Sequence, residues 1–140
     1  MPQRARIITV GKIKEAYLLS GITEFEKRLR PYAKMEFASI RDSTKEKESA
    51  EIEKFLAPNT FVLDVEGKQH TSEEFAKLLK NPSPITFIIG GPFGISDEVK
   101  KKARLISLSK LTFTHEMCAL FLMEQIYRSF QINSGRPYHK

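Results

Sequence analysis

Residues 84–89 (PITFII) form an almost uninterrupted apolar run that stops at two glycines, Gly90 and Gly91. A strand with this pattern has to be covered on both faces, as a central strand of a parallel sheet is. Weaker β-type runs, separated by helical patterns, lie at residues 6–10, 37–40, 60–65 and 105–114. This alternation predicts an α/β fold with a mostly parallel sheet and helices on both faces.

The helical segments carry apolar residues three and four positions apart. Leu18, Ile22, Phe25 and Leu29 form such a face within residues 15–29. Further helices are predicted at 43–56, after the capping-box residue Thr71, from Ser96 to about Arg104, and at 117–130. No repeat or linker interrupts the pattern, so residues 1–140 are expected to form one domain.

The composition restricts the function further. The net charge is +6, which favours a polyanionic partner such as RNA but leaves that partner open, since many basic proteins bind no nucleic acid. The single cysteine, Cys118, excludes an internal disulfide framework and a Cys-rich metal site. The longest apolar run, residues 117–123, is too short to span a membrane, so we expect a soluble cytoplasmic protein.

Loops that follow the strands are the expected place for chemistry, because ligands of α/β sheets bind beyond the carboxyl ends of strands. The strand at 60–65 is predicted to end at Gly67, and the strand at 84–89 leads into the glycine-rich run 90–94. That run lacks the Gly-x-Gly pair of a dinucleotide site and the Gly-Lys-Ser/Thr of a phosphate-binding loop. By itself it is equally typical of a tight strand-to-helix turn.

Two further segments have both a functional and a structural interpretation. In residues 107–115, hydroxyl and apolar side chains alternate, which is typical either of a backbone-lined adenine site or of a half-buried strand capped by Thr114. The C-terminal segment 127–140 combines aromatic and cationic residues. Such a segment stacks on bases and contacts phosphates, or it is only a solvated basic tail.

Taken in order, these segments resemble the ribosomal RNA large subunit methyltransferase H family of the SPOUT (α/β-knot) class. The resemblance rests on Val10-Gly11-Lys12, the Ile-Gly-Gly-Pro-x-Gly run ending at Gly94, the Ser-Leu-Ser-x-Leu-Thr run of 107–112 with His115, the run 124–128, and Pro137-Tyr-His-Lys140. The chain departs from the family at Ala119, where an arginine is usual, and in a shorter stretch between Asp42 and Phe61.

The resemblance implies a fold with a C-terminal trefoil knot, a homodimer, and S-adenosylmethionine as methyl donor. The implied reaction methylates N3 of a pseudouridine in 23S ribosomal RNA on assembled ribosomes, with no metal and no membrane involved. The implied cofactor-binding residues lie in three loops: Leu63, Gly90, Gly91, Leu108, Ser109, Lys110, Leu111, Thr112 and Phe113.

The reaction also predicts roles in the tail, since the N3 proton must leave before or during methyl transfer. His139 is the candidate base, Tyr138 an orienting or stacking group, and Arg136 an anion contact. A non-catalytic ribosome- or RNA-binding protein is the alternative. A nucleotide-binding enzyme of another α/β type would need a phosphate cradle that the sequence lacks.

Three structural and functional expectations follow for the last helix, the glycine-rich run and the tail. A stripe on the last helix, made of Ala119, Leu122, Met123, Ile126 and Phe130, is expected to leave part of that helix for a dimer partner. A Cβ at Gly90 or Gly91 is expected to crowd the ligand or strain the backbone. The tail is expected to matter for catalysis more than for stability.

Overall fold

The structure, a computed structural model, describes residues 3–139. Ten elements alternate along the chain: β1 Gln3–Val10, α1 Ala16–Leu29, β2 Ala33–Ile40, α2 Lys45–Glu53, β3 Thr60–Gln69, α3 Ser72–Leu78, β4 Ile85–Ile89, α4 Asp97–Lys102, β5 Arg104–Ser107 and α5 His115–Asn133. The five strands form one sheet in the order β2-β1-β4-β3-β5, and every pair is parallel. The predicted α/β class and parallel sheet are confirmed.

Helices cover both faces of the sheet, as the apolar run of β4 predicted. All five residues of β4 are buried. Phe87 and its neighbours on one face pack against α1, α3 and α5, whereas Ile88 faces a second cluster that includes Ile52 of α2 and Val99 of α4. Alternate side chains of a strand point to opposite faces, so a strand buried on both is apolar at nearly every position; Thr86 is the one polar residue of β4.

The strand β3 is longer than its sequence indicates. It continues through Gly67 to Gln69, and Ile106 of β5 pairs with both Leu63 and Lys68 across a register shift. A Cβ on Gly67 would lie 2.6 Å from the backbone of Ile106. The prediction that Gly67 ends the strand was therefore wrong, because this glycine permits close approach of β5 instead.

The other elements agree with the sequence-based prediction to different extents. The segment 105–114 was predicted as a strand followed by a loop, and the strand ends at Ser107. The helix α2 is shorter than the predicted 43–56. Both expected caps of later helices are present: Thr71 forms a full capping box with Glu74, and the Ser96 side chain accepts from the Val99 amide.

The long helix α5 lies against α1 and α3. Its apolar stripe of Ala119, Leu122, Met123, Ile126 and Phe130 is buried within the chain's own core. The stripe is thus the face of α5 that packs within the chain, and the homodimer stays a prediction. Within residues 3–139, no helix has the length and apolar character needed to cross a membrane.

Candidate cofactor and substrate site

Residues 63–65 of β3 and the loops that follow β4 and β5 meet around a cavity of about 730 Å³. The N-terminal ends of α1 and α5 complete its wall through Tyr17, Leu18, His115 and Glu116. Cavities that take drug-sized ligands span roughly 300–1,000 Å³. The cavity lies where an α/β sheet is expected to bind its ligand.

Most of the residues predicted to bind the cofactor line this cavity. They are Leu63, Gly90, Gly91, Leu108, Ser109, Leu111, Thr112 and Phe113. Lys110 is exposed and does not line it. The fold thus brings together segments that are far apart in sequence, while their role in cofactor binding remains a prediction.

The loop after β5 is held in shape by its own hydroxyl groups. Ser107 Oγ donates to the carbonyl oxygen of Ser109 at 2.9 Å, and Ser109 Oγ accepts from the Leu111 amide at 3.0 Å. The Phe113 ring packs edge-on against Phe121 with centroids 4.9 Å apart. The alternating hydroxyls of 107–112 therefore stabilise a loop, and their interpretation as one face of a strand was wrong beyond Ser107.

The glycine-rich loop after β4 needs glycine for a reason the sequence did not indicate. Neither Gly90 nor Gly91 has a positive φ; in this loop only Gly94 does, at 75°. A Cβ at Gly90 would lie 3.1 Å from Ile95 Cγ1, and one at Gly91 would lie 3.0 Å from Val10 Cγ1. The prediction of backbone strain at these two glycines was wrong. A side chain there would instead collide with Ile95 or Val10, which pack against the loop.

Glu116 was missed by sequence reasoning, although it follows directly on His115. Its Oε1 accepts the backbone N–H groups of Lys14 at 2.8 Å and Glu15 at 3.0 Å. These hydrogen bonds, that from Glu15 first, lower the pKa of the Glu116 carboxyl. Glu116 thus fastens the start of α1 to the start of α5 beside the cavity. Only its position in a first helical turn could have suggested a cap.

Asp64 is a second lining residue that was not predicted. Its Oδ2 accepts from the Glu66 amide at 3.0 Å, and its Oδ1 lies 3.8 Å from Lys100 Nζ. Lys100 is closer to Glu66, at 2.8 Å, and that hydrogen bond raises the pKa of Lys100. The cavity also has exposed lining residues with large apolar surfaces: Tyr17 and Leu111 are 68% and 70% exposed.

The C-terminal segment is packed, not solvated. The Tyr138 hydroxyl donates to Glu124 Oε2 at 2.8 Å, and its ring meets that of Tyr127 edge-on, with centroids 4.8 Å apart. Burial, followed by the hydrogen bond to Glu124, raises the pKa of Tyr138. The alternative of a solvated basic tail is wrong for the described residues; Lys140 lies outside them.

His139 has both ring nitrogens engaged. Arg128 Nη1 lies 3.0 Å from Nδ1, and Glu73 Oε1 lies 2.7 Å from Nε2. A guanidinium only donates, so Nδ1 accepts and Nε2 carries the hydrogen that Glu73 receives. The geometry assigns His139 a single neutral tautomer, in which neither nitrogen is available to take a proton.

Arg136 is exposed and lies over the Tyr32 ring, 5.9 Å from its centroid. None of Arg136, Tyr138 and His139 lines the 730 Å³ cavity of the same chain. The structure thus brings the predicted cofactor loops together and leaves the predicted catalytic tail on α3 and α5, apart from them. The catalytic roles of the tail remain predictions.

Comparison with known proteins identifies the family. The model described as "Predicted SPOUT methyltransferase" matches residues 3–139. The chain belongs to the SPOUT methyltransferase family. Proteins named ribosomal RNA large subunit methyltransferase H from an Exiguobacterium species and from Lactobacillus delbrueckii are 45% and 44% identical to it, each over 96% of the chain and 98% of the relative. The Enterococcus faecalis protein of that name is 42% identical over 98% of the chain and 99% of its own length.

A solved structure shares the SPOUT fold at low sequence identity. A probable methylase family protein from Haemophilus influenzae aligns with a TM-score of 0.61 and 8% identity, covering 100% of this chain and 72% of the other. This likeness supports the fold alone. Within residues 3–139, no group of three or more His, Cys, Asp or Glu side chains is arranged to hold a metal ion.

Proposed function

We propose that this protein transfers the methyl group of S-adenosylmethionine to N3 of a pseudouridine in 23S ribosomal RNA, acting on assembled ribosomes in the cytoplasm. The observation that carries the proposal is the convergence of residues 63–65 of β3 with the loops after β4 and β5 on one cavity. Family membership and the names of the full-length relatives support a methyl transfer to ribosomal RNA.

The residues around the cavity fit an adenosine-based cofactor. Leu63 and Leu108 provide apolar surface, and the lining loop 108–113 is the segment that we expect to bind the adenine. Gly90 and Gly91 also line the cavity, and their lack of a Cβ lets the loop pack closely on Ile95 and Val10 behind it. When bound, S-adenosylmethionine supplies an activated methyl group, and the protein has to orient it and exclude water.

Deprotonation of the target base is assigned to the C-terminal tail. Because the tail residues do not line the cavity of their own chain, we propose that they act at the cavity of a second copy in a homodimer. Within its own chain, both ring nitrogens of His139 are engaged, Nδ1 by Arg128 and Nε2 by Glu73. At the partner's cavity, His139 gives up the Arg128 hydrogen bond and accepts the N3 proton at Nδ1, while Tyr138 stacks and Arg136 contacts phosphate.

Methylation of ribosomes tests the reaction. Purified protein is incubated with labelled S-adenosylmethionine and ribosomes that lack the modification, and the 23S RNA is analysed by mass spectrometry. One methyl group on N3 of a pseudouridine is expected. Methylation elsewhere would overturn the target, and a protein that binds ribosomes without methylating them would support the non-catalytic alternative.

Mixing two inactive variants tests the shared site. Thr112→Trp fills the cavity from an exposed lining position, and His139→Ala disables the tail. If each tail serves the partner's cavity, random subunit exchange restores about a quarter of the wild-type activity, since half the dimers then contain one intact site. A mixture that stays inactive, with mixed dimers present by mass measurement, would show that the tail acts within its own chain.

A further inference from the structure

Glu48 of α2 is a buried carboxylate with an unused oxygen. The residue is 1% exposed. Its Oε2 accepts the Ser43 amide at 2.9 Å, whereas Oε1 is buried without a hydrogen-bond partner. None of the ion pairs formed within residues 3–139 includes Glu48. Burial of an uncompensated carboxylate is costly, so such a group calls for an explanation.

The unused oxygen lies directly behind the cavity wall. Oε1 is 3.5 Å from the position that a Cβ on Gly91 would take, and Gly91 itself lines the cavity. The next residue of α2, Ser49, accepts the Ser96 amide at 3.1 Å, so α2 supports both ends of the glycine-rich loop. Only the backbone of a residue without a side chain separates the Glu48 carboxylate from the ligand space.

The hydrogen bond from the Ser43 amide uses only one of the two carboxylate oxygens of Glu48. A glutamine at 48 would accept the same amide without a buried charge, so that contact does not require an acid. A negative charge in a poorly hydrated place acts on ligand charges more strongly than a surface charge does. The feature that an acid adds here is an electrostatic preference for a cation in the cavity.

We propose that Glu48 is a specificity-determining residue, whose unpaired carboxylate favours the positively charged sulfonium donor over the neutral thioether product. The inference rests on the proposed function, since it takes S-adenosylmethionine as the ligand. Loss of the methyl group removes the sulfonium charge, so S-adenosylhomocysteine does not gain the attraction that the donor gains from this carboxylate. Glu48 thereby favours replacement of the product by fresh donor without touching the reacting atoms.

Calorimetric titration with S-adenosylmethionine and S-adenosylhomocysteine, which requires no catalysis, measures this preference. In Glu48→Gln, the Kd of the donor is expected to rise about tenfold while that of the product changes by less than about twofold. Glu46→Gln is the matched control, because Glu46 lies on the same helix, is exposed, and changes the net charge equally. Glu48→Asp keeps the charge and should retain most of the preference.

The outcomes test the role of Glu48 and the proposed function separately. An unchanged ratio of the two Kd values in a folded Glu48→Gln variant, or an equal loss for both ligands, overturns the inference while leaving the proposed function intact. A wild-type protein that binds neither ligand overturns the proposed function itself. Should Glu48→Gln not fold, the ratio of the product Kd to the donor Kd is measured for the wild-type protein at about 0.05 M and about 0.5 M salt. If a buried charge causes the preference, the ratio stays nearly constant; if the preference disappears at high salt, surface charges cause it and the inference is wrong.

Discussion

Arg128 donates through Nη1 to Nδ1 of His139, at a distance of 3.0 Å. The same guanidinium reaches Glu124 through Nη2 at 2.8 Å, and Glu124 also accepts the Tyr138 hydroxyl. One arginine side chain thus orients both tail residues that are predicted to meet the substrate. It also selects the histidine tautomer, because a guanidinium cannot accept a hydrogen bond.

Replacing that arginine should release the tautomer. In the wild-type protein at neutral pH, nitrogen-detected NMR of histidine-labelled protein is expected to find His139 with hydrogen on Nε2. In Arg128→Met, Nδ1 loses its donor and only the Glu73 contact still favours the Nε2–H form, so a larger Nδ1–H fraction and faster ring exchange than in wild type are expected. Arg28→Met is the control, since Arg28 pairs with Glu24 on α1 and makes no hydrogen bond to His139. A wild-type Nδ1–H tautomer would contradict the geometry.

The packed tail changes what truncation should do. Deletion of residues 138–140 removes the Tyr138–Tyr127 ring contact, the hydrogen bond to Glu124 and the Arg128 contact over the Tyr138 ring. Partly exposed contacts of this kind together contribute about 1–2 kcal/mol to the free energy of unfolding. For a domain of this size, that loss lowers the Tm by roughly 3–10 °C.

Cofactor affinity should survive the same truncation, because Tyr138 and His139 do not line the cavity. The control is Arg136→Ala, which removes an exposed side chain and should leave the Tm within about 1 °C of wild type. Scanning calorimetry gives the Tm, and titration gives the Kd of S-adenosylmethionine. An unchanged Tm would restore the sequence-based expectation of a stability-neutral tail, and a lost affinity would assign the tail to the cofactor site.

The order of strands and helices could be predicted from short patterns, because burial on both faces makes a strand such as β4 almost entirely apolar. The caps Thr71 and Ser96 were equally legible, since their hydroxyls bond within one helical turn. Gly67 was misjudged because its function depends on Ile106, which lies far along the chain. A glycine in a strand has the same local signal whether it ends the strand or admits a neighbouring backbone.

Some parts of the candidate site could likewise be predicted from the sequence, and others could not. The loops at 90–94 and 107–113 could be selected in advance because they follow strands whose carboxyl ends share one edge of the sheet. Glu116, Asp64 and Glu48 could not, because each acts through partners more distant in sequence or, for Glu48, through the lack of one. The position of the tail also depends on Arg128 and Glu73, which no spacing rule connects to it.

Glu116 should give the protein a specific pH dependence. Its pKa is lowered in the folded state by the Glu15 and Lys14 amides, so its stabilising effect is present at neutral pH. The effect is lost as the pH falls below the ordinary range of a glutamate and through the lowered folded-state value. Chemical denaturation should therefore show Glu116→Gln less stable than wild type at pH 7, with the two curves converging in acid.

The control for that experiment is Glu46→Gln, an exposed first-turn acid of α2 for which no contact across the fold is seen. It should follow the wild-type curve within about 0.5 kcal/mol at every pH. Parallel curves for Glu116→Gln and wild type, with a constant gap down to acid, would mean that the charge of Glu116 does not contribute through its amide contacts.

A side chain at position 91 could be harmful because it collides with Val10 or because it collides with the ligand, and the two explanations can be distinguished. A Cβ there meets Val10 Cγ1 at 3.0 Å and Val10 Cβ at 3.4 Å, on the side of the loop that faces the core. Gly91→Ala should therefore displace the loop and weaken cofactor binding, although the new methyl group does not enter the cavity. We expect a loss of affinity of about tenfold, since a shift of a few tenths of an ångström misplaces the backbone groups that hold the ligand.

Removing the obstructing atoms should reverse that loss. Val10→Ala in the Gly91→Ala background deletes Cγ1 and gives the methyl group room, at a stability cost of about 1–2 kcal/mol because Val10 is fully buried. Its titration should recover most of the wild-type affinity for S-adenosylmethionine, whereas Val10→Ala alone should bind as wild type. If the double variant binds no better than Gly91→Ala, with both proteins folded by circular dichroism, the methyl group obstructs the ligand directly and the support-side account of Gly91 is wrong.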